Sequence, residues 1–333
     1  PIFPKGSRLG KPDFVVKMEK PFFIKGDNKD RFLMMKIPFE LPSDTFVRAI
    51  EFIPGNKKLV HHVNGHLIQY NEKDKKNPFE GETYVDLESH DTKQAYKILK
   101  VENDDGSYPL LTTSVTNYLP GVITTIYPEG IGGWKVMKKG AILLKDIHYG
   151  PTPKDEYDQS YVNFFFRKEP PQRRTLEIQL GTHGISEIVP PLIIPPNTVK
   201  TFYTEGIILG DISLLTINPH MHLLGKKFVA FAVKPDGDTI PLIRINNWDF
   251  RWQYFYTFKK MLKLPKGTKI RVEGTYDNTI NNPRNPFHPP REVRDHDGSM
   301  RTTDEMFQFI MTYLPYQEGD ENISLENYSL KKK

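Results

Sequence analysis

The chain has 333 residues, of which 38% are hydrophobic, 12% aromatic and 26% charged, a composition typical of a folded globular protein and not of a disordered one. It contains no cysteine, which excludes disulfides, thiolate metal sites, iron–sulfur ligation and a covalently attached c-type haem. The net charge of +5 is modest and its lysines are spread through turns, a pattern that disfavours nucleic-acid binding.

The length of the chain predicts two domains, each large enough for its own core. The longest apolar runs, such as residues 185–194, are broken by proline or charge and fall well short of the roughly 20 residues of a membrane-spanning helix. We therefore expect no membrane span. The opening PIFPKGSRLG has neither an initiator Met nor an apolar leader, so we expect a mature or trimmed product.

Short segments rich in β-branched and aromatic residues, bounded by Pro, Gly, Asn or Asp, recur along the whole chain and predict β-strands. In chain order these segments are residues 13–24, 30–41, 46–54, 63–70, 94–101, 160–168, 175–183, 227–235, 239–248, 268–278 and 306–315. The 28 prolines would interrupt most long helices. The prediction is an all-β protein made of two antiparallel, jelly-roll-like β-sandwich domains.

A domain boundary is predicted near RKEPPQRR, residues 167–174, where two prolines and a basic cluster separate two strand segments. We assign residues 11–169 to an N-terminal domain, 170–318 to a C-terminal domain and 319–333 to a polar tail. No internal repeat is strong enough to indicate duplication.

Two histidine clusters and one single histidine are candidate metal ligands. His220 and His222, in NPHMHLL, leave the same face of a strand because they are two residues apart. His61 and His62, in KLVHHVNGH, would point to opposite faces of a regular strand, so their joint ligation requires a strand end, a bulge or a bend. His148, in LLKDIHYGP, is the single histidine.

Taken alone, each histidine motif is a weak signal, and His66 is more simply a hydrogen-bonded structural histidine than an extra ligand. The three motifs together strengthen the case for a metal. Copper fits best, because imidazole binds copper in both oxidation states and a Met thioether favours Cu(I).

Four segments resemble the copper type II, ascorbate-dependent monooxygenases, the family of peptidylglycine α-hydroxylating monooxygenase and dopamine β-monooxygenase. They are LVHHV (59–63), IHYG (147–150), PHMHLLGK (219–226) and TTDEM (302–306). The longer strings NWDFRWQYFY (247–256) and YDNTINNPRNPFHPP (276–290) are similar to the bacterial branch. The resemblance extends from about Asp13 to Tyr316.

The resemblance implies two copper ions per chain, one in each domain. The first would be held by His61, His62 and His148, and the second by His220, His222 and Met306. In this family the three-histidine copper stores and passes one electron, while the Met-ligated copper binds dioxygen and attacks a substrate C–H bond. The implied catalytic residues are those of the second site.

Two other interpretations of the methionines and tryptophans stay open. Without the resemblance, Met306 would more simply fill a gap in the core, and Met300 and Met311 are weaker rivals for the ligand position. Trp248 and Trp252 are expected to be core or cleft-wall residues instead of redox relays.

The sequence also departs from the peptide-amidating branch. Asn218 stands where that branch has an arginine that binds the substrate carboxylate, and a neutral amide cannot replace that contact. Asp146 stands where it has a glutamine, and no tyrosine follows Met306 at the equivalent short spacing. The substrate is therefore expected to be an unidentified small or peptide-like organic molecule.

The electron donor is expected to be ascorbate or a cytochrome c, the latter as a redox partner protein, and the location periplasmic or secreted. One alternative is a copper-binding or carrier protein of the same fold without productive hydroxylation. Another is a carbohydrate- or peptide-binding sandwich whose histidines are incidental.

Overall fold

The computed structural model describes residues 6–7, 9–122, 124–295 and 303–326. Within these ranges the chain divides into two compact units, the first ending at Arg174 and the second comprising Thr175–Glu326. The division falls at the end of the proline-rich segment 167–174. None of the helices in the described ranges has the length and apolar composition needed to cross a bilayer.

In the described part of the chain, the first unit contains eleven strands and one helix. They are β1 (Phe14–Lys17), β2 (Phe22–Ile24), β3 (Arg31–Glu40), β4 (Thr45–Ile53), β5 (Val60–Tyr70), β6 (Tyr84–Asp86), α1 (Thr92–Ile98), β7 (Leu110–Tyr118), β8 (Trp134–Val136), β9 (Lys139–Tyr149), β10 (Glu156–Asp158) and β11 (Tyr161–Arg167). A four-stranded sheet has the order β1-β11-β4-β8 and a five-stranded sheet the order β6-β3-β9-β5-β7, while β10 and β2 form a separate pair.

The inner faces of these two sheets enclose an apolar core. Val47, Ile50, Phe164, Ile142 and Leu144 belong to it and are almost fully buried, so the unit is a sandwich of two antiparallel sheets. A smaller cluster lies on the outer face of the five-stranded sheet, where α1 packs.

The second unit is also built from antiparallel strands. They are β12 (Leu176–Gly181), β13 (Ile188–Val189), β14 (Ile193–Ile194), β15 (Val199–Ile207), β16 (Ile212–Met221), β17 (Gly225–Val233), β18 (Thr239–Ile245), β19 (Tyr256–Leu264), β20 (Lys269–Asp277), β21 (Val293–Arg294) and β22 (Phe307–Pro315). Sheets of order β12-β22-β16-β19 and β13-β15-β20-β17-β18 enclose one large core, and β14 pairs with β21. The all-β prediction is confirmed for both units, whereas the jelly-roll topology stays a prediction.

The strand predicted at residues 94–101 is wrong, because α1 occupies most of this segment. Asp91 caps the helix by accepting the N–H of Gln94, and the Gln94 side chain accepts the N–H of Asp91 in return. This reciprocal capping box favours a helix start. The apolar residues Ala95 and Leu99 are four apart and both are buried beneath the helix, which is helical spacing.

Residues 319–326, assigned from the sequence to a polar tail, belong to the second unit. A short 3₁₀ helix spans Asp320–Asn322. The buried Asp320 carboxylate accepts hydrogen bonds from the Ser213 hydroxyl and the Gln317 backbone N–H, and Leu325 is also buried. The remainder of the predicted tail lies outside the described residues.

His66 is a buried histidine whose two ring nitrogens have no hydrogen-bond partner among the described residues. It pairs with Leu143 of β9, whose side chain belongs to the cluster beneath α1. Burial, assisted by the positive charge of Lys145, lowers the pKa of His66 to about 4. The folded state therefore favours the neutral form of the His66 ring.

We expect this histidine to make the first unit sensitive to acid. Because the folded pKa lies below the unfolded value, its contribution is fully present above about pH 6.5 and is lost as the pH falls toward about 4, by up to about 3 kcal/mol of unfolding free energy. Urea unfolding of metal-free protein at pH 7.5 and 4.5 measures this loss. The variant His66→Leu should lose less stability between these pH values than the parent, and equal losses in both would contradict the prediction.

Candidate metal centres

The first candidate centre lies where β5 and β9 pair in the five-stranded sheet. His62 is the pairing partner of His148, and the register shifts between Val60 and His62 and again between His62 and Gly65. The irregularity predicted for the His61–His62 pair is therefore confirmed. Ile147 and Tyr149 belong to the core cluster, so His148 between them points to the outer face of the sheet.

The structure brings His61, His62 and His148 together. The ring centre of His148 lies 4.9 Å from that of His61 and 5.0 Å from that of His62. Two imidazoles bound to one ion at about 2 Å have ring centres about 5 Å apart at a tetrahedral angle. The three rings therefore lie at the spacing that shared ligation requires.

The ring of His148 is hydrogen-bonded to Asp30 and stacked on Phe32, with ring centres 4.4 Å apart. Its Nε2 lies 2.6 Å from Asp30 Oδ1, and this hydrogen bond lowers the pKa of the Asp30 carboxyl. Because an ionised carboxylate only accepts, Nε2 carries the proton and Nδ1 keeps its lone pair. Nδ1 is buried and has no hydrogen-bond partner among the described residues. A metal-binding histidine typically donates one ring N–H to a carboxylate and offers the lone pair of its other nitrogen to the metal, and His148 has both features.

Because Gly150 has no side chain, it leaves room for the ring of His61. A Cβ at position 150 would lie 2.6 Å from His61 Nε2 and 2.8 Å from its Cε1, closer than non-bonded atoms approach. His61 keeps an exposed edge. Desolvation of the ring and the neighbouring His148 lower the pKa of His61, while Asp30 acts in the opposite direction. The lowered pKa favours the neutral imidazole that can bind a metal.

We expect the substitution Gly150→Ala to displace the His61 ring, because the ring can move more easily than the buried backbone. Copper affinity at the first centre should fall about 10- to 100-fold, the range found when the support of a metal ligand is altered, and the second centre should keep its affinity. Competition with a copper chelator measures both. Gly210→Ala is the matched control, since a Cβ there meets no atom within 4 Å; an unchanged first centre in Gly150→Ala would contradict the prediction.

Asp146 lies beside the first centre. Its Oδ1 accepts the backbone N–H of Asn64 at 3.0 Å, and its Oδ2 lies 4.0 Å from His62 Nε2. Burial raises the pKa of Asp146 to about 7, against the effect of the Asn64 N–H. The distance to His62 is too long for a direct hydrogen bond, so in this structure Asp146 supports the β5 backbone rather than the His62 ring.

The second candidate centre lies at one end of the four-stranded sheet, on β16 and β22. His220 pairs with Gln308, and Met221 pairs with Phe307. Met221 and Phe307 are fully buried in the core of the unit. Because side chains alternate along a strand, His220 and His222 point to the outer face of the same sheet.

Met306 directly precedes β22, and continuing the register of that strand places it opposite His222. Alternation places its side chain on the outer face, away from Phe307. Met306 is only 3% exposed. Its backbone carbonyl accepts the hydroxyl hydrogen of Tyr276 at 2.7 Å. These observations put Met306 on the same sheet face as His220 and His222, and its role as a ligand stays a prediction.

The rings of His220 and His222 are 5.0 Å apart, centre to centre, again the spacing of two imidazoles on one ion. His222 Nδ1 lies 2.8 Å from the carbonyl oxygen of Asp304. A carbonyl only accepts, so Nδ1 carries the proton and Nε2 has the lone pair. The edge-on ring of Phe250 packs against His222 at 5.5 Å.

His220 has a polar partner of its own in Gln253. Burial, together with the neighbouring His222, lowers the pKa of His220 to about 3, and a hydrogen bond with the Gln253 side chain acts in the opposite direction. Gln253 is buried, and its Nε2 donates to the Phe250 carbonyl at 2.8 Å. Because its hydrogen bond with His220 raises the histidine pKa, the ring nitrogen donates and the Gln253 Oε1 accepts. His220 is thus a neutral imidazole with one nitrogen hydrogen-bonded and the other able to ligate.

Other residues singled out from the sequence lie as follows. The buried Asn218 is on the same face as His220 and donates from Nδ2 to the Tyr254 carbonyl at 3.0 Å. Trp248 is a core residue stacked on Phe228, whereas Trp252 is 55% exposed. Met311 is in the core, and Met300 lies outside the described residues.

The supporting residues Asp30, Gln253 and Glu305 were not found from the sequence. Asp30 is far from His148 in the chain, and its only signal was its position at the start of a predicted strand. Gln253 and Glu305 lie within strings noted for the resemblance, NWDFRWQYFY and TTDEM. Their membership of these strings was a signal that could have identified them.

Each of the two β-sandwiches has histidines grouped on the outer face of a sheet, and neighbouring residues fix the tautomers of two of these rings. Imidazole groups supported in this way are typical of transition-metal sites. Residues 194–326 match the family model described as copper type II ascorbate-dependent monooxygenase, C-terminal domain. The second unit therefore carries the C-terminal domain of that family. The resemblance noted from the sequence is confirmed over this range.

Other comparisons add little. A search of curated proteins finds no match. One solved structure to which the chain is similar, that of the infectious bursal disease virus Gt strain, shares 13% identity, covers 92% of this chain and 78% of that chain, and has a TM-score of 0.18. A TM-score this low does not indicate a common fold.

Proposed function

We propose that this protein is a dicopper monooxygenase that hydroxylates a C–H bond of an organic substrate. The observation that carries the proposal is the grouping of His220, His222 and Met306 on one sheet face within the range that matches the copper monooxygenase family. The family name implies copper and a dependence on ascorbate. The grouping of His61, His62 and His148 supports a second copper in the first unit.

The overall reaction is R–H + O₂ + 2 e⁻ + 2 H⁺ → R–OH + H₂O. When bound, copper supplies one-electron transfer and the activation of dioxygen, and two ions supply the two electrons that a single one-electron metal cannot. The external reductant is ascorbate or a cytochrome c partner.

The residues of each centre would hold copper differently. The first centre offers three imidazoles, with Asp30 orienting the ring of His148. The second offers two imidazoles and a thioether, and the soft sulfur of Met306 favours the reduced ion. Burial of His220 keeps its imidazole neutral, so near neutral pH no proton has to be displaced from the ligand before metal binding.

The substrate is proposed to be an organic molecule that does not depend on a carboxylate clamp at position 218. Asn218 provides a neutral amide whose Nδ2 is already bound to the Tyr254 carbonyl. Its Oδ1 can accept one hydrogen bond but cannot form a charge-assisted pair with a carboxylate. The bacterial affiliation and the periplasmic or secreted location stay predictions.

Copper titration followed by turnover under ¹⁸O₂ tests the proposal. The expected result is two copper ions per chain and one ¹⁸O atom in the product for each O₂ consumed, with ascorbate or reduced cytochrome c as donor. Copper binding with oxygen uptake but no hydroxylated product across a broad substrate panel would favour the copper-carrier alternative. Absence of copper binding would favour a sandwich with incidental histidines.

A further inference from the structure

Glu305 is a carboxylate buried next to the second centre, with 1% exposure. Its Oε2 accepts the backbone N–H of His222 at 2.9 Å, and its Oε1 accepts that of Leu224 at 2.7 Å. It also accepts the N–H of Met306. One side chain thus bonds to the backbones of two proposed metal ligands that are far apart in sequence.

These hydrogen bonds replace a sheet ladder that has ended. β16 ends at Met221 and β22 begins at Phe307, so His222 and Met306 lie just beyond the paired residues of their strands. Without ladder hydrogen bonds the two chain ends would be free to separate. The Glu305 carboxylate joins them at this point.

Stability alone does not account for a carboxylate at this position. Burying a carboxylate disfavours folding, whereas an ionised carboxylate, which only accepts, matches several converging N–H donors.

We propose that Glu305 is a positioning residue that fixes His222 and Met306 at the separation required for copper binding at the second centre. The inference rests on the proposed function, because it assumes that these residues bind copper. Glu305 acts on the metal only through the backbones of the two ligands. It is therefore distinct from the ligands and from any residue that touches the substrate.

Replacement of Glu305 by Gln keeps the size of the side chain and changes only its hydrogen bonding and charge. In Glu305→Gln one oxygen becomes an NH₂ group that faces the backbone N–H of either His222 or Leu224, so the chain must shift at or next to a proposed ligand. The second-centre copper affinity should fall about 10- to 100-fold, while the first centre is unchanged. Glu305→Asp keeps both acceptor oxygens on a shorter side chain and should recover part of the loss.

Glu51→Gln is the matched control, since Glu51 is a buried glutamate of the first unit that accepts a hydrogen bond from Asn163 Nδ2 at 3.1 Å. This change should leave the second centre unaltered. The full-length chain is titrated with Cu(I) against a chelator, and the Cu(II) form is examined by EPR. Assignment of each signal to a centre comes from His220→Ala and His148→Ala.

A change in the EPR signal and affinity of the second centre alone, partly restored in Glu305→Asp, would support the inference. Unchanged values at the second centre in Glu305→Gln, or equal losses at both centres, would overturn it. If Glu305→Gln does not fold, Glu305→Asp decides, and an unaltered second centre there overturns the inference. If the parent protein itself binds no copper through His220, the proposed function fails; normal binding with an unaffected Glu305→Gln removes only the inference.

Discussion

Met306→Leu should abolish oxygen-dependent hydroxylation, with a loss of at least about 100-fold in kcat/KM, equivalent to about 3 kcal/mol of transition-state stabilisation. Leucine has nearly the same volume as methionine, so the fold should be retained. It has no sulfur donor, and a site with only two imidazoles binds Cu(I) less well than one that includes a thioether. Product formation under ascorbate and O₂, together with Cu(I) titration, measures both effects.

Met311→Leu is the matched control for this prediction. Met311 lies on β22, the strand that Met306 directly precedes, but its side chain points into the core. The change should therefore preserve turnover. The copper content of the first centre should be normal in both variants. Full activity in Met306→Leu would remove Met306 from the proposed ligand set.

His148→Ala should reduce the copper stoichiometry from two ions per chain to one and should suppress multiple turnovers by about 100-fold or more. The change removes the ring that lies next to both His61 and His62, and it leaves the first candidate centre with two imidazoles. The second centre should keep its copper, because its ligands belong to other strands. Metal analysis of dialysed protein and steady-state assays with ascorbate provide the measurements.

His66→Leu serves as the comparison for His148→Ala, because it also removes a buried histidine from the same five-stranded sheet. It should leave both copper ions and the turnover rate unchanged. Retention of two ions per chain in His148→Ala would argue against a first centre built on this histidine.

The fold class could be predicted because its signals are local. Strands such as β3, β11 and β20 are short, β-branched or aromatic, and flanked by turn residues, and each was located to within a few residues. The segment of α1 was predicted as a strand because its aromatic and β-branched residues favour one. The signal for a helix is the capping box formed by Asp91 and Gln94.

The grouping of candidate ligands was predictable only in part. The spacing of His220 and His222 indicates a shared face by itself, whereas adding His148 and Met306 required the family resemblance. The supporting contacts could not be deduced from local pattern, since Asp30 reaches His148 across 118 positions and Glu305, although it lies in the TTDEM string, reaches His222 across 83. Such contacts follow from strand pairing in three dimensions, and local sequence pattern carries no information about them.

Both candidate centres are on the outer faces of sheets whose inner faces form the cores, as the core positions of Ile147, Tyr149, Met221 and Phe307 indicate. Hydrophobic packing, which supplies most of the free energy of folding, therefore makes little use of the ligand side chains. Histidines and methionine at these positions could be gained, exchanged or lost over evolution without rebuilding either sandwich. In this architecture the proposed redox chemistry and the foldability of the chain are open to independent selection.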